Sequence, residues 1–439
     1  MATSHQVYTG RSSGYVSNPW IAYGWDVADD RIKPGLGETT LILFLLTLAC
    51  SVMARAQILF DVMDFGAIGD GIIDDSQAFL KAWQATCNTE TDYPTMVIPK
   101  KTFLLRPPVT FQGPCKSWIV NVQIIGTIVA PESIDAWKGL DPRGWITFQG
   151  VEGLILAGGG MINGRGFQWW QQSCRYNTKA ECLKFAPTAL RFLSCARVGL
   201  KNLKLKDSPN THILIEDSRR FKIRQIYITA PEKSPNTDGI HIHASRDINL
   251  KQLAIGTGDD CISIGDRLSN INISQVHCGP GHGISIGSLG RDTKSMVQVK
   301  NIHVRDVHFN GTTNGVRIKT WQGAHGYARN ISFKNVHFTW VDNPIIIDQY
   351  YCSISRACKN QTEGVKISDV SYKNMRGTSS TDIAINFMCS ETVACTRIHL
   401  QDIRLGSIGQ KKTTSAYCFN AHGSIDGIVV PTVPCFPKG

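Results

Sequence analysis

Like charges never gather into long runs in this chain. Lys and Arg total 46 against 35 Asp and Glu, giving a formal charge of +11 and a pI near 9.0. The basic residues are scattered and no nucleic-acid motif accompanies them, so nucleic acid is not an expected partner. What remains is a basic surface that attracts polyanions at low ionic strength. Long apolar runs are also missing. The stretch from Leu41 to Cys50 falls short of the roughly 20 residues a membrane helix needs, but it has signal-peptide length, and Ala54-Arg-Ala56 offers a cleavage site before Gln57. That layout makes residues 1–40 an extension, disordered or artefactual, 41–56 a signal peptide, and 57–439 the mature region. No linker rich in Pro, Gly or Ser divides the mature region, so it reads as one domain. Zinc spacings are absent among the 14 cysteines. Close partners in sequence are present instead: Cys87 with Cys115, Cys174 with Cys182, Cys261 with Cys278, Cys352 with Cys358, Cys389 with Cys395, and Cys418 with Cys435. Six disulfides would leave Cys195, and Cys50 departs with the signal, a pattern that fits secretion. Sequons stand at Asn272, Asn310, Asn330 and Asn360.

What the mature region does have is a repeat. Units begin near Leu200, Ile223, Leu250, Ile273, Val304, Phe333 and Ile367, in steps of 23 to 34 residues. Each opens on a short alternating strand such as Leu200-Lys-Asn-Leu-Lys-Leu. A polar turn follows, and then a second strand such as Ile240-His-Ile or Val316-Arg-Ile. A core of about 22 residues with outward insertions suits a solenoid of parallel strands better than a β-sandwich, because a sandwich does not predict a near-constant step. Residues from Asp75 to Trp83 combine a capping-type start with an apolar 3,4 spacing, so a helix is expected there, covering the open end of the solenoid.

Four motifs stand on successive units: Asn236-Thr237-Asp238, Gly258-Asp259-Asp260, Gly281-His282-Gly283 and Arg317-Ile318-Lys319. Aligned on their aliphatic strands, Asp238, Asp260 and His282 fall at equivalent positions, a constant 22 residues apart. Adjacent coils lie about 4.8 Å apart, so equivalent residues become neighbours. Alternation turns Ile240, Ile262 and Ile318 inward and His241, Ser263, Ser285, Arg317 and Lys319 outward. Taken singly, Asp238 or His282 is more often a turn residue. Together, stacked carboxylates repel, and at least one should hold a proton near neutral pH. One carboxylic acid beside one carboxylate is what acid/base cleavage of a glycosidic bond requires. A Ca²⁺ cage is the rival use of such a cluster, but the adjacent Arg317 and Lys319 argue against it.

These motifs carry a family resemblance. Ser234-Pro-Asn-Thr-Asp-Gly-Ile, Gly258-Asp-Asp-Cys-Ile-Ser-Ile, Cys278-Gly-Pro-Gly-His-Gly-Ile-Ser-Ile and Val316-Arg-Ile-Lys-Thr-Trp321, with Asp348-Gln-Tyr-Tyr-Cys352, make the chain from about Ile58 onward resemble the plant polygalacturonases of glycoside hydrolase family 28. The resemblance implies a single right-handed parallel β-helix and inverting hydrolysis of α-1,4 bonds between galacturonates in pectin. Carried over by position, Asp259 would be the general acid, and Asp238 and Asp260 would hold and activate water. His282 would tune their protonation, and Arg317 and Lys319 would bind the substrate carboxylate. Tyr351 would pack on a sugar, with Tyr350 as the fallback, and Asn236 would serve homogalacturonan binding. No cofactor or metal is implied. The expected protein is a monomer of the cell wall or apoplast, detached from membrane after signal cleavage. Adjacent-coil carboxylates about 5 Å apart would by themselves suit retention, so inversion comes from the family. Exo-galacturonase, rhamnogalacturonan hydrolase, Ca²⁺-dependent pectate lyase and a non-catalytic pectin-binding protein are the alternatives.

Overall fold

The computed structural model describes residues 58–176, 182–291, 295–352, 358, 361–408 and 413–437; the expected extension at 1–40 and the expected signal peptide at 41–56 lie outside the described residues. The chain divides into a unit at 1–55 and one at 56–439, the second of which holds all the motif residues. It is a parallel β-helix. Two sheets of parallel strands, of 17 and 11 members, carry the coils. The expected register appears residue for residue: Leu200, Ile223, Leu250, Ile273, Val304 and Phe333 stand in one column. The seventh unit differs. Phe333 pairs with Tyr372, whereas Ile367 pairs with Ala328.

Left-handed backbone explains both the coil and that slip. The long strands bend at single residues five positions apart with φ near +55°, as at Arg220 and Gln225, Asp247 and Gln252, Asn301 and Asp306, and Asp369 and Asn374. Asn and Asp tolerate this conformation better than other side chains, and stacking lets their amides bond along the axis. Asn270 donates to Asp247, Asn301 to Asn270 and Asn330 to Asn301, at 2.8–2.9 Å. Because both corners have an apolar residue on either side, the sequence around Asp369 imitates the sequence around Asn374.

Inside, the aliphatic columns are fully buried, and aromatic rings stack from coil to coil, with Phe309 on Phe338 at 5.6 Å and Phe333 on Tyr372 at 5.3 Å. The expected helix is α1 (Ser76–Asn88). It buries Phe79, Ala82 and Trp83, and the Trp83 indole N–H donates to the Gln112 carbonyl. Its start differs from the expectation. Asp75 accepts from the backbone of Ile68 and Gly69, and Asp74 takes the Ser76 N–H instead. All six expected disulfides form, and Cys195 is buried as a free thiol.

Candidate active site

Five neighbouring strands of the smaller sheet build the site: β1 (Ile240–His243), β2 (Ile262–Ile264), β3 (Ile284–Leu289), β4 (Asn314–Trp321) and β5 (Asn343–Tyr351). Ile240, Ile262, Ile284, Val316 and Ile345 align across them and are wholly buried. That anchoring fixes the turns before β1, β2 and β3, where the carboxylates and His282 sit. Asn236 is exposed in the first turn with φ of +56°, and the next residue, Thr237, is buried. Its hydroxyl accepts from Gly258 N–H at 3.0 Å, tying the first turn to the second. A Cβ at Gly258 would lie 2.0 Å from the Ser234 carbonyl oxygen, so only glycine lets the two turns stack this closely.

The three carboxylates meet three different environments. Asp260 is buried and accepts from Ser285 Oγ at 2.7 Å, Arg317 Nη2 at 2.8 Å and Lys319 Nζ at 2.9 Å. Burial alone would raise its pKa, but Lys319 and Arg317 outweigh burial and hold it at about 2. Asp238 accepts from Ser263 Oγ at 2.5 Å. Burial, and then repulsion from Asp259 and Asp260, pushes its carboxyl well above the ordinary carboxylate range, with Lys319 a lesser opposing influence. Asp259 is partly exposed. It accepts from the Asp260 N–H at 2.9 Å, and its Oδ1 lies 3.0 Å from His282 Nδ1. The register alone places His282 level with Asp260, yet its ring reaches the neighbouring Asp259.

The outward column beneath these groups is not solvent-facing as alternation implied. Ser263, Ser285 and Lys319 are buried under the carboxylates, where they fix the carboxyl groups. Both serines occupy Ile-Ser-Ile triplets three residues after Asp260 and His282, a regularity visible in the sequence once the columns are drawn. At the far end, Lys319 Nζ stands 5.2 Å from the Tyr351 ring centroid, and Trp321 meets that ring edge-on. Tyr350 turns elsewhere, its hydroxyl accepting from Glu391 N–H. Asp348 pairs in register with Lys319; burial raises its pKa, and the Tyr350 N–H, Arg317 and Lys319 offset this in part.

Asp259, Asp260 and His282 present ligand atoms within 4.8 Å of one another. Both Asp260 oxygens already face cations, which makes the cluster a poor cage for a divalent ion. What the arrangement supplies is one carboxylate held ionised, a second carboxyl group pushed toward its protonated form, and a cationic edge beside them.

Comparison with known proteins gives a consistent result. The sequence model of glycosyl hydrolases family 28 matches residues 87–427. A probable polygalacturonase of Arabidopsis thaliana is 44% identical over 385 residues, covering 88% of this chain and 86% of that protein. Polygalacturonase-2 of Solanum lycopersicum is 43% identical, covering 82% and 78%. Among solved structures, the polygalacturonase from Erwinia carotovora ssp. carotovora superposes with a TM-score of 0.62 at 22% identity, over 82% of this chain and 97% of that one. Endo-xylogalacturonan hydrolase from Aspergillus tubingensis gives 0.71 at 20%, over 87% and 99%. At these identities the two structures speak to the fold.

Proposed function

The chain belongs to glycosyl hydrolases family 28, and from that premise we propose that it hydrolyses α-1,4-galacturonosyl bonds of homogalacturonan with inversion, cutting within the chain. The observation that carries the reading is the unequal treatment of the three carboxylates. Asp260, gripped by Arg317 and Lys319, stays ionised and is not the proton donor. That leaves Asp238, bonded to Ser263, and Asp259, beside His282, as the candidate donors. Asp259, the more open of the motif's two aspartates and in contact with His282, protonates the leaving oxygen. Asp238 and Asp260 orient a water on the opposite side, and Asp238 takes its proton as the oxygen attacks the anomeric carbon. A guanidinium has five N–H donors, and the contacts to Ser285 and Asp260 use two of them, so Arg317 keeps donors for a substrate carboxylate. Tyr351, beside Lys319, packs on a sugar face, and Asn236 contacts substrate from the exposed turn.

The six disulfides suit an oxidising compartment, and among the described residues no helix is long and apolar enough to cross a membrane. We place the protein as a secreted monomer of the cell wall, acting in pectin remodelling, with residues 57–439 as its one catalytic domain. Reducing-end release from polygalacturonate, wild type beside Asp259→Asn with chelator present, tests the reading. Mixed oligomers, insensitivity to chelator and a loss of at least 10²-fold in the variant are expected. Monomer alone would make the enzyme exo-acting, and unsaturated products that vanish in chelator would make it a lyase.

A further inference from the structure

Asp238 and Asp260 are each served by a serine 25 residues on, and the two serines lead to different places. Ser285 Oγ bonds Asp260 and receives Arg317 Nε–H at 2.9 Å. Arg317 can only donate, so the Ser285 proton has one destination, and Asp260 is locked as an ionised acceptor. Ser263 Oγ bonds Asp238 and lies 2.7 Å from His241 Nδ1, on the strand directly alongside. A neutral imidazole offers either a donor or an acceptor at Nδ1, according to its tautomer.

We propose that Ser263 and His241 form a reversible hydrogen-bond strut that keeps Asp238 aimed at the water in both of its protonation states. When Asp238 is ionised, Ser263 donates to it and His241 Nδ1–H donates to Ser263. When Asp238 carries a proton, it donates to Ser263, and Ser263 donates to an unprotonated Nδ1. The two arrangements differ in the imidazole tautomer: as Asp238 takes the water's proton, the half-buried His241 gives its Nδ1 proton to solvent and takes one from solvent at Nε2, so the ring stays neutral throughout. Burial holds the imidazole neutral, with a pKa of about 4, which the strut requires. The charged and titratable groups facing the pair are Asp259, Asp260 and Lys319 around Asp238, and His243, Asp260, Lys319 and Glu216 around His241. His241 and Ser263 are positioning residues, acting through Asp238. The inference rests on the proposed role of Asp238 as the base.

The test compares wild type with Ser263→Ala, His241→Phe, the double variant and Ser263→Thr, each first shown to be folded by circular dichroism. On polygalacturonate, kcat should fall on the order of 10²-fold in Ser263→Ala, while KM stays within a factor of about two. The Ser263 hydroxyl favours ionised Asp238, so its removal should shift the acidic limb of kcat/KM upward by about one pH unit. Ser263→Thr should restore that limb. The double variant should be no worse than Ser263→Ala, because the strut fails as a unit. An unmoved acidic limb, or losses that add, would overturn the strut. A ¹³C titration of the Asp238 carboxyl, assigned with Asp238→Asn, reads the same shift without substrate. Wild-type inactivity would therefore count against the proposed function while the titration still decides the strut.

Discussion

At the scale of single residues, the site stores instability that its chemistry uses. The Asp238 carboxyl titrates above its ordinary range in the folded protein. Its proton thus favours the fold, and that advantage disappears as pH rises through the raised value. Asp238→Asn keeps a neutral side chain at every pH, so Tm should fall less with rising pH in the variant than in wild type, while kcat drops by about 10²–10⁴-fold; calorimetry across pH beside kinetics checks both. Asp260 has the opposite sign. Its pKa is depressed to about 2, so its contribution to stability is present above the ordinary carboxylate range and is lost as pH falls through about 2. Lys319→Met should then destabilise by about 3–5 kcal/mol in denaturant unfolding, because it strands a buried carboxylate. Adding Asp260→Asn should return most of that loss. A Lys319→Met protein as stable as wild type would mean that the pair is not desolvated as described.

Among the elements, the turns before the short strands set the site, and glycine makes their stacking possible. Gly283 adopts φ of +87°, and a Cβ there would stand 2.1 Å from the Asn314 carbonyl oxygen of the next coil. Gly283→Ala should cost on the order of 3 kcal/mol and lower activity through His282, which precedes it. Chemical denaturation and reducing-end assays read the two effects. This is also the scale at which the sequence was most legible. Constant steps and repeated Ile-x-Ile triplets revealed the coil, the columns and the motif residues that now face one another. The phase of the Ile367 unit was not legible, because two left-handed corners five residues apart carry look-alike patterns. Nor was the burial of Ser263, Ser285 and Lys319. Alternation says which way a side chain points, and a row of large groups from neighbouring coils can still cover it. Asp75 misled for a related reason, since either Asp74 or Asp75 satisfies a capping pattern and only the backbone of Ile68 and Gly69 decides between them.

For the whole molecule, net charge favours a polyanionic substrate. A charge of +11 acts over a Debye length of about 30 Å at 0.01 M salt but only about 8 Å at 0.15 M. KM for polygalacturonate should therefore rise several-fold across that range with kcat little changed, and a KM independent of salt would mean that long-range attraction does not draw the substrate in. Whether one protonated carboxyl group and a water-holding pair act on opposite sides of a galacturonosyl bond is tested most directly by following the anomeric protons of fresh product by ¹H NMR. Hydrolysis with inversion predicts that the β-anomer of the new reducing end appears first and the α-anomer grows in by mutarotation. Initial α-anomer, or vinylic signals from an unsaturated sugar, would contradict it.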